Sequence, residues 1–140
     1  MDTPLDTEVL VRLFLDRSLP KPAWTHVAHL RVGLWHVRRF GAVRAIELLR
    51  ERISCYNEAV GTANTNTSGY HETLTVFYVK VIDAFVSADA SRAQAAGTLE
   101  RRLLEAVGDR ELPLRYYSRE CLFSTEARRQ WVAPDLQPLP

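Results

Sequence analysis

The residues of this chain best equipped for chemistry are three histidines and a glutamate, gathered in two short motifs: Thr25-His26-Val27-Ala28-His29-Leu30 and Gly69-Tyr70-His71-Glu72-Thr73-Leu74-Thr75. His26 and His29 are three residues apart, a spacing that on a helix puts both imidazoles on nearly one face and close enough to share an ion. His71 and Glu72 fall in the expected first turn of another helix. There the unpaired amides favour a carboxylate, and the positive end of the dipole disfavours a protonated imidazole. A divalent cation, zinc or iron, held by His26, His29 and His71, with Glu72 as fourth ligand or as base on a bound water, follows ordinary metal-site logic. Without metal, His71 and Glu72 form the catalytic pair of an acid-base site, because histidine titrates near neutrality and a carboxylate can tune it. In a third reading the histidines only satisfy hydrogen bonds.

Several flanking residues qualify as helpers. Thr75 is four residues beyond His71 and is placed to orient its ring, as partners of metal-bound histidines commonly do. Asn64, Asn66 and Tyr70 flank the motif as binding groups for a polar ligand, although turn formation explains the asparagines more simply. His36 continues the line of His26, His29 and Gly33 and reads as structural or exposed. Arg115-Tyr116-Tyr117-Ser118-Arg119 has the composition of an anion-binding or interface patch, or of half-buried tyrosines beside solvated arginines. Trp24, Trp35 and Trp131 read as packing residues. The chain has no phosphate-binding glycine loop, CxxC pair, GxSxG elbow or dinucleotide fingerprint.

The elements that must position these groups are helical. Asp6 or Thr7 caps a first helix through Leu10, Leu13 and Phe14, ended by Pro20 and Pro22. Residues 24–40 form a second helix with a seam of Val27, Leu30, Leu34 and Val37, and Gly41 stops it. The histidine line runs beside that seam, at the margin of the core. Residues 42–60 make a third helix on Val43, Ile46, Leu49, Ile53, Tyr56 and Val60, with Arg44, Glu47, Arg50, Glu51 and Arg52 solvated. A polar loop, residues 62–69, precedes a fourth helix over 70–86, whose length and spacing outweigh its β-branched content. Residues 88–107 are helical with a break at Gly97 that Thr98 can restart, and Gly108-Asp109 ends them. Pro113 and the tyrosine pair mark a turn, Ser124 caps a short helix through Trp131, and Pro134, Pro138 and Pro140 keep the last residues extended.

Composition narrows the functional class. With 140 residues, 46% hydrophobic and 25% charged, the chain suits one all-α domain, residues 1–140, a bundle of about five main helices with an irregular C-terminal segment. A net charge of +1 gives bulk electrostatics no pull on nucleic acid or acidic lipid. Neither a signal-peptide core nor a membrane-length apolar run is present, so a cytoplasmic location is expected. Cys55 and Cys121 stand alone and suit reduced thiols, and the Asn66-Thr67-Ser68 sequon carries no weight without a secretory signal.

The two histidine motifs, with the run from Tyr116-Tyr117-Ser118 through Leu122, Ser124, Ala127, Arg128, Trp131 and Pro134-Asp135-Leu136, resemble a group of small helical bacterial proteins that pair an HxxH helix with a Tyr-His-Glu-Thr-x-Thr helix. The resemblance covers most of residues 24–136 and implies that the motifs act as a unit, without implying a reaction. The arrangement is also similar in outline to DinB-like bundles, where histidines from different helices hold a divalent metal, although the histidine spacing differs. Two functions remain open. One is an enzyme, metal-dependent or acid-base, acting on a small polar molecule by hydrolysis, elimination or group transfer. The other is a non-catalytic ligand-binding or protein-interaction module, a homodimer included, whose histidines hold the 62–69 loop.

Overall fold

The computed structural model describes residues 5–89 and 96–140, and every regular element in them is helical, as the apolar spacing requires. The first helix, α1 (Thr7–Leu15), starts where the Asp6 carboxylate accepts the Glu8 amide, and it buries Leu10, Val11 and Phe14. A short 3-10 turn (Lys21–Ala23) leads to Thr25, whose hydroxyl accepts the Ala28 amide and so caps α2 (His26–Ala59). Phe14 and Trp24 stack with ring centroids 4.7 Å apart, and Tyr56 closes the cluster by donating its hydroxyl to the Leu19 carbonyl at 2.7 Å.

Gly41 divides α2 into two segments, with a φ of 79° and ψ of 167° that L side chains rarely adopt. The break is where the sequence marks a stop. The buried face of the first segment differs from expectation. Leu30, Leu34 and Val37 are buried, but Val27 is 47% exposed, while Val32, Gly33 and His36 lie inside rather than at the margin. A Cβ on Gly33 would stand 3.1 Å from Ile82 Cδ1, so the missing side chain lets the next helix approach closely there. In the second segment Leu49 and Tyr56 are buried as expected, whereas Val43 is 76% exposed.

The principal packing partner of α2 is α3 (Glu72–Asp89), which contributes Phe77, Val79 and Ile82 to the core. The next helix, α4 (Ala96–Val107), contains Gly97 and Thr98 within it, so neither breaks nor restarts it; the expected helical residues 90–95 lie outside the described part. Gly108 ends α4 by donating its amide to Leu104. A 3-10 turn (Leu112–Arg115) precedes two short helices, α5 (Arg119–Leu122) capped by Ser118 and α6 (Thr125–Arg129) capped by Ser124. The second of these stops at Arg129, short of Trp131. Both cysteines are free, and among the described residues no helix is long and apolar enough to cross a membrane.

His36 is fully buried and both of its ring nitrogens are used. Nδ1–H donates to the Val32 carbonyl at 2.8 Å, and Arg52 donates to Nε2 at 2.8 Å. Burial, opposed by the Val32 bond and reinforced by Arg52, lowers its pKa to about 4. In the unfolded chain the group titrates near 6.5, so as pH falls below that value only the unfolded state takes up the proton. The stability due to neutral His36 is therefore complete above pH 6.5 and drains away towards pH 4, by on the order of 3 kcal/mol at most. His36→Gln should flatten the decline of melting temperature between pH 7 and 4.5; matching slopes in the two proteins would remove His36 as its source.

Candidate functional site

The structure sorts the expected site residues into two neighbouring places. Around the N-terminus of α3, His71 precedes the first helical residue and acts as the cap. Its Nδ1 accepts the Leu74 amide at 3.1 Å, and Nε2–H donates to the Leu122 carbonyl at 2.7 Å. Those two bonds fix the neutral tautomer and leave no ring nitrogen for an ion or a proton. Burial lowers the imidazole pKa, and the Leu122 carbonyl only partly offsets it. The Thr75 hydroxyl donates to the His71 carbonyl at 3.1 Å and not to its ring nitrogens, which are bonded elsewhere.

Glu72 points the other way and is equally occupied. Arg50 binds it with both forks, at 2.9 and 2.6 Å, and the Tyr70 hydroxyl donates to the same carboxylate at 2.7 Å. Burial raises the Glu72 pKa, but the Arg50 and Tyr70 bonds outweigh it and hold the group below the usual carboxylate range. An ionised, doubly tied carboxylate of this kind is a poor proton acceptor. Asn64 is likewise spent on the loop. Its side-chain oxygen accepts from Asn57 (3.0 Å) and from the Tyr70 amide (2.9 Å), and its amide donates to the Ser54 carbonyl (3.0 Å). Asn64, Asn66, Tyr70 and Glu72 do share one open groove of about 630 Å³.

His26 and His29 belong to a different cavity, about 480 Å³, between α2 and α3, with walls of Leu30, Leu49, Ile53, Leu74, Val79 and Ile82. Its rim adds Trp24, Thr75, Tyr78 and Arg110. His29 Nδ1–H donates to the Thr25 carbonyl at 2.7 Å, which directs the lone pair to Nε2, and the ring lies against Trp24 with centroids 3.8 Å apart. His26 Nε2 is buried without a hydrogen-bond partner, as is Trp24 Nε1, and the His26 ring meets the Tyr78 ring edge-on at 5.6 Å. Burial and the Arg110 guanidinium lower His26, against smaller opposing effects of the Gly108 backbone and Asp109. His29 has its outer edge in solvent but is hemmed by protein beneath, and this crowding lowers its pKa too, against the Thr25 bond. Both imidazoles are therefore neutral at pH 7.

The proposed three-histidine ion does not fit this arrangement. His26 and His29 share a cavity, but His71 is absent from its lining and has both nitrogens bound to backbone. Among the described residues, no group of three or more His, Cys, Asp or Glu side chains is arranged to hold a metal ion. The physical reason is local: a histidine just before a helix can satisfy an orphan amide, and here it does. Sequence reasoning missed Arg50, which looks like one of several solvated arginines, and also Trp24, Tyr78 and Arg110. Only Trp24 carried a signal, its adjacency to the HxxH motif.

No family model, no curated protein and no solved structure matches this chain.

Replacing His71 by Ala removes the cap acceptor and leaves the buried Leu122 carbonyl without its donor, so a loss of about 2 kcal/mol is expected in urea unfolding. His71→Asn, which restores a cap acceptor, should recover part of it. A His71→Ala protein as stable as the parent would contradict the capping role.

Proposed function

We propose that this chain binds a small molecule with an apolar body and a polar head in the cavity between α2 and α3, and that His26 and His29 exchange a proton with that head. The observation that carries this reading is a pair of neutral imidazoles on the rim of one apolar cavity, each with an unspent nitrogen. Apolar walls with a few convergent polar groups and perturbed titrating residues are the usual features of a ligand pocket. A neutral imidazole beside such a pocket has a lone pair to accept a proton at pH 7, as a weaker base than free histidine because burial lowers both groups. Hydrolysis, elimination or group transfer on the bound molecule is the reaction class that such a base serves.

His29 is the better placed of the two to act as base. Its Thr25 bond fixes the tautomer that leaves Nε2 unprotonated, and the residue is exposed. His26 supplies a second nitrogen one turn earlier, held against Tyr78. A non-catalytic binding module is the second reading, favoured by the purely structural bonds of His71 and Glu72. It keeps the cavity but assigns no proton transfer, so it predicts binding without turnover.

The first test uses p-cresol, a neutral probe with an apolar ring and one hydroxyl donor, followed by NMR. Saturable shifts are expected at the Val79 and Ile82 methyls and at the imidazole nitrogens of His26 and His29. His29→Ala should weaken binding about fivefold, the worth of one hydrogen bond of about 1 kcal/mol. Silent cavity methyls, or affinity untouched in a His26→Ala/His29→Ala double variant, would sink the proposal.

A further inference from the structure

The groove on the other side of Tyr70 has a charge balance that neither the imidazole cavity nor the ion pair within it explains. Arg50, Arg128 and Arg129 line it against a single carboxylate, Glu72, in a chain whose net charge is only +1. Arg50 and Glu72 cancel each other through two short bonds, and the Tyr70 hydroxyl takes up a further lone pair of the carboxylate. The remaining two guanidiniums are uncompensated. Arg128 donates from Nη1 to the Gly69 carbonyl at 2.9 Å and to the Tyr70 carbonyl at 3.4 Å, which anchors its plane at the groove edge while its other donors stay unspent. Arg129 is exposed, and no carboxylate among the described residues pairs with it. Glu126, the one acidic residue of α6, accepts from Gln130 and does not line the groove.

We infer that this groove binds the phosphate of a small phosphorylated molecule, with Arg128 and Arg129 as its oxyanion ligands. Guanidinium forks match phosphate oxygens with paired, charge-assisted bonds, and a fork already fixed by backbone carbonyls loses little freedom on binding. Arg50 has a separate part: by neutralising Glu72 it removes the one charge that would repel the anion. Trp131 gives the groove an aromatic wall, and Lys80 stands over the same ring at 5.6 Å, adding positive potential from outside. The volume, about 630 Å³, suits a molecule larger than the bare ion. A dianionic monoester is favoured over a monocarboxylate because two separate guanidiniums have to be neutralised.

The test is a titration of the full chain at low ionic strength with inorganic phosphate, and in parallel with acetate, followed by NMR at the Trp131 indole and the Asn66 side-chain amide. Phosphate is expected to shift both signals saturably and to bind at least tenfold more tightly than acetate. Arg129→Gln, which removes no contact of the fold, should weaken phosphate about tenfold, and salt should do the same. Arg44→Gln, an exposed arginine paired with Glu47 and outside the groove lining, is the control and should change nothing. Absence of saturable phosphate binding, equal response to acetate, or an Arg129→Gln protein that binds as the parent does would each overturn the assignment. The p-cresol response at Val79 and Ile82 is read separately, so failure here is distinguishable from failure of the cavity proposal.

Discussion

The first turn of α3 has amides that its own helix cannot satisfy, and the way they are satisfied organises the rest of the molecule. A buried helix terminus must find acceptors or lose stability. Here His71 supplies the acceptor for Leu74, and its second nitrogen reaches across to the carbonyl of Leu122, in a different segment. Thr73 repeats the pattern: its hydroxyl donates to the Gln130 carbonyl at 2.8 Å and accepts the Val132 amide at 3.1 Å. Arg128 completes the exchange from the other side by holding the Gly69 carbonyl. The C-terminal segment, whose two helices are too short to be stable alone, is thus fastened to one turn of α3.

The same turn separates two environments that would otherwise merge. Tyr70 and Thr75 lie within hydrogen-bonding reach of each other; Tyr70 lines the charged groove and Thr75 the apolar cavity. On α2 the division falls between adjacent residues, since Leu49 and Ile53 face the cavity while Arg50 and Ser54 face the groove. One step along a helix turns the side chain by about 100°, which is enough to change compartments. The consequence is electrostatic. The ionised Glu72 and its arginine sit on the groove side, so the imidazoles of His26 and His29 face mostly apolar walls, where their neutral form is favoured.

What could be read from the sequence follows the range of the interactions involved. Helix starts at Asp6 and Ser124 and the break at Gly41 are local matters, decided within four residues, and they were legible, whereas the caps at Thr25 and Ser118 were passed over, the latter inside what read as a turn. The buried face of α2 was legible only in part. The three-and-four spacing picks out Leu30, Leu34 and Val37, but it could not tell that Gly33 admits Ile82 so closely that the core turns towards Val32 and His36 and leaves Val27 outside. Arg50 was illegible altogether. Nothing in the run Arg44, Glu47, Arg50, Glu51, Arg52 distinguishes the arginine that meets Glu72, or the one that meets His36, from those left in solvent. Partner choice is a tertiary property, and periodicity carries no information about it.

The four histidines make the point most sharply. Spacing groups His26, His29 and His71 as chemistry and sets His36 aside, but the useful division is by unspent nitrogens. His36 and His71 each have two bonded ring nitrogens, one of them in the middle of a helix and the other at the start of one. His26 and His29 each keep one free, because they lie in the first turn of α2 where Thr25 has already supplied the cap through its own hydroxyl. The cap residue decides the matter. Where a threonine satisfies the orphan amide, the neighbouring imidazoles are released to a cavity; where the histidine itself holds the cap position, as His71 does, the imidazole is consumed. A histidine next to a helix start is therefore available for chemistry in proportion to how well some other side chain does the capping.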